Sequence, residues 1–228
     1  MNSEEIKKHV GMKAAEFVSD GMTVGIGTGT TARHFIFALA ERVNNGLHIL
    51  GVPTSQASAM QAKEMGIPLT DLNDAGSIDI AFDGADEINS SLDLIKGGGG
   101  AMLQEKMVAF AARRFIVMAD ESKMVGHLGK FPLPVEVVPY GWKKVMQYLM
   151  ENGCKSVTLR NKNKKVYVTE HQHYILDCRY ERITHPVNLN QQLKSIPGIV
   201  ETGLFLHIAK DALVGYSDGS VSHITRAL

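Results

Sequence analysis

The stretch Thr23-Val24-Gly25-Ile26-Gly27-Thr28-Gly29-Thr30-Thr31-Ala32 decides how this chain is read. Residues 23–27 read as a short buried strand, and a helix follows over about 31–43, with Phe35, Ile36, Leu39, Ala40 and Val43 as its apolar residues. Between the two lies a glycine turn. Backbone N–H groups at a helix N-terminus, freed of side-chain bulk by glycine, form a cradle for an anion, and threonine hydroxyls add donors. Gly27, Gly29 and Ala32 also fit the dinucleotide fingerprint, which requires an acidic residue at the end of the next strand for the ribose hydroxyls. That strand ends in Val52-Pro53-Thr54-Ser55, without a carboxylate, and the lysine of a Walker loop is missing. The loop therefore reads as a phosphate cradle rather than a dinucleotide site, with a ligand-free tight turn as the plain alternative.

Outward from this loop, helices and strands alternate. Residues 4–19 show helical spacing through Ile6, Val10, Ala14, Phe17 and Val18, ended by Asp20-Gly21. On the other side come a strand at 48–52, a helix at 55–65, strands at 68–69 and 78–82, a helix at 101–114 and a strand at 115–119. This alternation predicts an α/β fold with a mostly parallel sheet. The pattern changes near Phe131-Pro132-Leu133-Pro134. Beyond it, longer alternating strands at 135–138, 156–160, 165–169 and 174–178, with helices at 141–151 and 189–196, predict an α+β insert. Strands at 204–209 and 212–216 return to the first lobe. The expected division is one lobe of residues 1–130 plus 204–228 and an inserted lobe of 131–203.

Composition narrows the function. The 228 residues carry 24 Lys plus Arg and 24 Asp plus Glu, a formal net charge of +0, which removes the electrostatic case for a general nucleic-acid or anionic-membrane binder. Cys154 and Cys178 form no CxxC, so neither a zinc ribbon nor a disulfide framework is expected. The N-terminal residues are charged throughout, unlike a signal peptide, and no stretch approaches the ~18 apolar residues of a membrane span. The expectation is a soluble cytoplasmic protein that takes a small molecule.

Two further motifs carry chemistry. Asp83-Gly84-Ala85-Asp86-Glu87 follows an apolar strand, at the carboxyl end where α/β sheets place their ligands. Gly84 permits a turn that would aim Asp83 and Asp86 together; a solvated turn is the alternative. Lys96-Gly97-Gly98-Gly99-Gly100-Ala101-Met102-Leu103-Gln104-Glu105-Lys106 exposes a row of N–H donors at the mouth of a helix, with Lys96 as a point charge. Leu103, Met107 and Phe110 supply the apolar stripe of that helix and Glu105 points away from it, toward solvent or a cleft. His171 and His173 alternate on an expected strand, with no third metal ligand nearby, and read as a solvated face. Trp142 begins an expected helix and packs there.

In this order and spacing, the three motifs resemble ribose-5-phosphate isomerases of type A. The resemblance runs almost end to end and includes Ala119-Asp120-Glu121-Ser122-Lys123, the run from Leu128 to Glu136, and Pro197-Gly198-Ile199-Val200. It implies a Rossmann-like lobe with a smaller ferredoxin-like lobe inserted, a homo-oligomer, taken as a homodimer, and no metal or organic cofactor. It implies reversible isomerisation of D-ribose 5-phosphate and D-ribulose 5-phosphate through an enediol, with Glu105 as the proton-transferring base. Asp83, Asp86 and Lys96 would surround the reacting carbons. Thr28, Gly29, Thr30, Thr31, Gly84, Ala85, Gly97, Gly98, Gly99 and Lys123 would complete the substrate site, with Lys7 as a further phosphate contact. The family usually has Ser where Thr30 stands, and commonly Arg where this chain has Gln104. Two other readings stay open at this point: a nicotinamide-dependent dehydrogenase, and a non-catalytic sugar-phosphate sensor, which would normally need a DNA-binding module.

Overall fold

In the computed structural model, which describes residues 1–226, the chain begins with α1 (Ser3–Ala15), β1 (Thr23–Ile26), α2 (Thr30–Asn44), β2 (Leu50–Pro53), α3 (Gln56–Glu64) and β3 (Ile78–Gly84). Two short strands follow, β4 (Glu87–Ile88) and β5 (Leu94–Ile95), then α4 (Met102–Ala111), β6 (Ala112–Asp120) and a 3-10 turn over Glu121–Lys123. Next come β7 (Leu133–Val137), α5 (Trp142–Glu151), β8 (Ser156–Leu159), β9 (Asn161–Lys162), β10 (Lys165–Val166), β11 (Tyr174–Arg179), α6 (Pro186–Lys194) and β12 (Ile199–Thr202). The chain closes with β13 (Leu204–Phe205), β14 (Asp211–Gly215) and β15 (Val221–Thr225). Residues 227 and 228, which end the first expected lobe, lie outside the described residues.

The chain divides into two compact units. The first comprises Met1–Ala85, Gln104–Met124 and the chain from His207 on; the second comprises Asp86–Leu103 and Val125–Leu206. In the first unit a six-stranded sheet runs in the order β15-β14-β6-β3-β1-β2. All neighbours are parallel except the β14–β15 hairpin. Its apolar residues meet those of α1 and α2: Val10 and Ala14 of α1, Phe35, Ile36 and Leu39 of α2, and Val24, Ile26, Ile80 and Phe82 of the sheet share one core. Phe35 and Phe82 stack with ring centroids 4.6 Å apart. Both are fully buried, so truncating either to alanine is expected to cost about 3–5 kcal/mol. At the far side of β6, Arg114 Nε donates to Asp211 Oδ2 at 2.7 Å, joining β6 to β14. Burial works against ionisation of the Asp211 carboxyl, yet hydrogen bonds from Arg114 and His223 outweigh it and hold the group below the usual carboxylate range.

In the second unit, β12-β7-β11-β8 form an antiparallel sheet and β13-β5-β4 a small one. One face of the larger sheet, carrying Leu133, Val135, Val137, Leu176 and Cys178, is covered by Val145 and Leu149 of α5 and Leu193 of α6. Cys154 and Cys178 are free thiols buried in that core.

Several boundaries differ from the sequence reading for traceable reasons. β3 runs two residues past 82 because Asp83 and Gly84 go on pairing with Val117 and Met118 of β6. β6 begins at Ala112 rather than 115, since Ala112 and Arg114 pair with Ile78 and Ile80. α6 starts at Pro186, whose fixed φ suits a first helical turn. The strand expected at 165–169 shrinks to Lys165–Val166, and the one at 204–209 to Leu204–Phe205, which pairs with β5 rather than with the parallel sheet. The expected apolar stripe of α4 is reversed: Met107 and Phe110 are 49% and 81% exposed, whereas Met102, Glu105, Val108 and Ala109 are buried. Gly25 of β1 leaves room for Val108, since a Cβ there would stand 2.7 Å from its methyl. Both sides of this helix are apolar, so periodicity alone does not choose between them.

Candidate active site

Strand order places the first set of residues. From β1 the chain moves to β2 on one side, then to β3 on the other, so the order reverses between β1 and β3. The crevice outside the carboxyl ends of such strands is the ligand position of open α/β sheets. The loop after β1 carries Thr28 to Thr31, and β3 ends in Asp83 and Gly84. Gly27 N donates to Phe82 O at 2.8 Å, and Thr28 N donates to Asp83 Oδ1 at 3.0 Å. The same oxygen accepts from Gly84 N at 2.7 Å. Asp83 is almost wholly buried and is held by two backbone donors, not left as part of a solvated turn.

The Thr28 hydroxyl lies 2.8 Å from Thr54 Oγ1 and 2.7 Å from Ser55 Oγ, beyond the end of β2. α1 and α3 have side-chain capping boxes, from Asn2 and Ser55. α2 has neither a side-chain cap nor an acidic residue in its first turn, and its cap residue Gly29 takes φ +100°. Exposed Gly29 and Thr30 therefore open a helix whose first N–H groups are served by no cap from the side chain before them. Lys123, half-buried, stands in the turn beyond the carboxyl end of β6, on the same edge of this sheet. Glu105 lies in the first turn of α4 and is only 5% exposed. A first-turn glutamate at the surface would need no explanation; a buried one does. On α1, Lys7 pairs with Glu4 at 2.9 Å, and Glu4 also meets His34 Nε2 at 3.0 Å.

The second unit holds the second set. Asp86, half-buried, follows Gly84 and Ala85 of the first unit, and its N–H donates to Ile95 O at 2.8 Å. Gly98 N donates to Asp86 Oδ2 at 2.8 Å. Lys96 is buried, with its N–H on Gly203 O at 2.9 Å and its ammonium 5.4 Å from the centre of the Phe205 ring. Gly98 and Gly99 form the exposed tip of the glycine run, while Gly97 and Gly100 are buried. Gly100 takes φ +91°, and a Cβ there would collide with the Tyr167 phenol.

Thr28 and Asp83 are thus in direct contact, as are Gly98 and Asp86. Gly84 ends a strand and does not make the sharp turn expected of it; the chain bends only after it. His171 and His173 lie in a turn, not on a strand, and His173 Nδ1 sits 3.0 Å from the buried Glu136 carboxylate, so the solvated-face reading fails for His173. Trp142 starts α5 and packs edge-on against Tyr174. Among the described residues, no group of three or more His, Cys, Asp or Glu is arranged to hold a metal ion, and no helix is long and apolar enough to cross a membrane. The sequence did not single out Thr54 and Ser55, which touch the Thr28 hydroxyl from the carboxyl end of β2, nor Arg160 and Tyr167, which carry no local motif and lie against the glycine run.

Comparison with known proteins shows what the chain as a whole is similar to. The family model of ribose 5-phosphate isomerase A (phosphoriboisomerase A) matches residues 50–219. The chain is 46% identical over 226 residues to the ribose-5-phosphate isomerase A of Parvibaculum lavamentivorans, covering 96% of this chain and 98% of that one. It is also 46% identical over 220 residues to the Listeria monocytogenes serotype 4b enzyme of the same name, with the same two shares. Among solved structures it is similar to a D-ribose-5-phosphate isomerase in complex with phospho-erythronic acid, at 39% identity and a TM-score of 0.95, covering 99% and 100% of the two chains. It is likewise similar to ribose 5-phosphate isomerase A from Methanocaldococcus jannaschii, at 40% identity and a TM-score of 0.92, covering 97% and 99%.

Proposed function

The chain belongs to the ribose 5-phosphate isomerase A family, an intramolecular oxidoreductase of the pentose phosphate pathway that interconverts an aldose and a ketose phosphate, and from this premise we propose how its residues divide the reaction. Open-chain ribose 5-phosphate must lose the proton on C2, place the negative charge on the C1 oxygen as an enediolate, and regain a proton at C1 while the C2 hydroxyl proton passes to the C1 oxygen, leaving the ketone at C2. Glu105 takes and returns that proton. The observation that carries this role is its burial in the first turn of α4, directly after the glycine run. One carboxylate within reach of both carbons can move the proton either way. Lys96 and the N–H groups of Gly97, Gly98 and Gly99 stabilise the enediolate oxygen. Asp83 and Asp86 assist ring opening and hold the sugar hydroxyls, with Gly84 and Ala85 linking them. Thr28, Gly29, Thr30 and Thr31 hold the phosphate, whose binding energy positions the reacting end, and Lys123 completes the substrate site.

Proton NMR of ribose 5-phosphate in heavy water tests the assignment. The parent protein should show isomerisation together with solvent exchange at C2, and Glu105→Gln should lose both at once. Exchange surviving in that variant would move the base elsewhere. The solved relative was obtained with phospho-erythronic acid. Its planar carboxylate beside a hydroxylated carbon mimics an enediolate, so the same compound should compete with substrate here.

The remaining features belong to the same reading. The protein works in the cytoplasm without metal or organic cofactor, and the substrate is its only small-molecule partner. It forms a homodimer, supported by exposed Met107 and Phe110 on α4; Phe110→Glu should then shift the mass measured by light scattering to that of a monomer. Residues 131–203 are an insertion between 1–130 and 204–228, a view favoured by the antiparallel sheet β12-β7-β11-β8, which draws every strand from within it, although the compact unit built on that sheet also takes in Asp86–Leu103 and a few residues on either side of the insertion.

A further inference from the structure

Arg160 follows β8 and takes no part in the chemistry assigned above. Its guanidinium is largely buried and gripped by Asp177 of β11, with Nε donating to Oδ2 at 2.9 Å and Nη2 donating to Oδ1. This fork-on-fork contact fixes the guanidinium plane. The remaining nitrogen, Nη1, donates to Gly97 O at 2.6 Å and to Gly98 O at 3.3 Å. Peptide planarity gives these bonds a consequence on the other side of the chain. Gly97 C=O and Gly98 N–H belong to one rigid trans unit, so an oxygen pinned toward Arg160 sends its N–H the opposite way. That N–H is the one on Asp86 Oδ2. Gly98 C=O and Gly99 N–H are related in the same manner.

From this relay, Asp177 to Arg160 to the Gly97–Gly98 peptide to Asp86, we infer that Arg160 is a positioning residue for the isomerase reaction. It aims the N–H groups of Gly98 and Gly99 and, through Gly98, orients the Asp86 carboxylate. A fixed cation on the carbonyl side also polarises each peptide and strengthens its N–H as a donor. Four consecutive glycines have the greatest conformational freedom to lose, and donors stabilise a developing charge best when they need not reorganise. Arg160 supplies from outside the order that the glycines lack. The inference rests on the reading that Asp86 and the glycine run serve the reaction.

The test is steady-state kinetics on the full chain. Arg160→Ala should lower kcat tenfold or more while KM moves less than threefold, because the loss falls on preorganised donors rather than on phosphate binding. Guanidinium ion at low millimolar concentration should restore part of that kcat, whereas Arg160→Lys, which keeps the charge without the fork, should stay well below the parent. Asp86→Asn is measured alongside. A folded Arg160→Ala protein with kcat within twofold of the parent, or with only KM raised, overturns the inference if Asp86→Asn lowers kcat. If Asp86→Asn also leaves kcat unchanged, the reading of the site fails and the relay falls with it. Should Arg160→Ala not fold, Asp177→Asn decides: a kcat at least threefold lower at unchanged KM upholds the relay, and an unchanged kcat refutes it.

Discussion

The loop at 27–31 is fixed by the elements that it joins, whereas the glycine run at 97–100 leans on side chains from far along the chain. The first loop leaves a four-residue parallel strand, enters a fifteen-residue helix, and is tied to the neighbouring strand through Phe82 O and Asp83. The second leaves a strand of two residues and is held by Asp86, Arg160 and the bulk of Tyr167. Both offer rows of backbone donors. A glycine loop inside a βα unit inherits its geometry from the sheet; one outside such a unit must be braced, and its sensitivity to mutation spreads to residues that never meet the ligand.

The largest effect should come from Glu105→Gln, which keeps the shape of the side chain and removes its basic oxygen. Turnover should fall by at least the ~100-fold typical of a lost general base, with little change in KM. This sets the scale for both loops. Turnover within a few-fold of the parent would detach α4 and the glycine run before it from the chemistry, and the comparison would lose one side.

Alanine at one glycine of each loop comes next. Gly29 has φ +100° with open space around its missing Cβ, while Gly100 has φ +91° and the Tyr167 phenol in that space. Gly29→Ala should cost about 1–3 kcal/mol of strain. Gly100→Ala adds overpacking of about 1–3 kcal/mol to the same strain and should melt at a lower temperature. Equal melting temperatures by circular dichroism would mean that Tyr167 moves aside and braces nothing.

A smaller change is expected from Thr31→Val, which removes a donor at nearly constant volume. It should cost about 1–3 kcal/mol of transition-state binding, seen in kcat/KM for the phosphorylated sugar. The first loop would lose its phosphate role if the parent protein isomerised free ribose as efficiently. The smallest effect is none: EDTA should leave kcat unchanged, and activity restored to a chelated sample by one divalent ion would require a metal among these carboxylates.

What was legible in the sequence follows the same divide. The alternation of short apolar strands with helices announced the parallel sheet, because a buried βα unit writes its period locally. Thr28, Asp83, Asp86 and Lys96 stood out through glycine-rich surroundings and carboxylates at strand ends, whereas Glu105, in a first helical turn that read equally as surface, was singled out only by the family resemblance. Arg160 and Asp177 did not, since an arginine beside a polar hairpin looks like any solvated cation until the fold brings it to Gly97. The two-residue strands β4, β5 and β13 are too short to show any period. Polar β15, whose apolar residues Val221 and Ile224 stand three apart and so show no alternation, reads as loop until it pairs with β14. The buried face of α4 depended on Gly25, a residue on another element, whose missing side chain admits Val108.

The pairing of β14 with β6 has a consequence for the order of assembly. Asp211 lies opposite Ile116, so one edge of β6 stays bare while a ribosome makes residues 121–210. The exposed strand would present Phe115, Ile116, Val117, Met118 and Ala119, an apolar run suited to pairing with another chain. Arg113 and Arg114 precede that run, the placement by which natural sequences slow such association. When Asp211 arrives, Arg114 closes on it at 2.7 Å. The charge that guarded the nascent edge becomes the clasp that seals it.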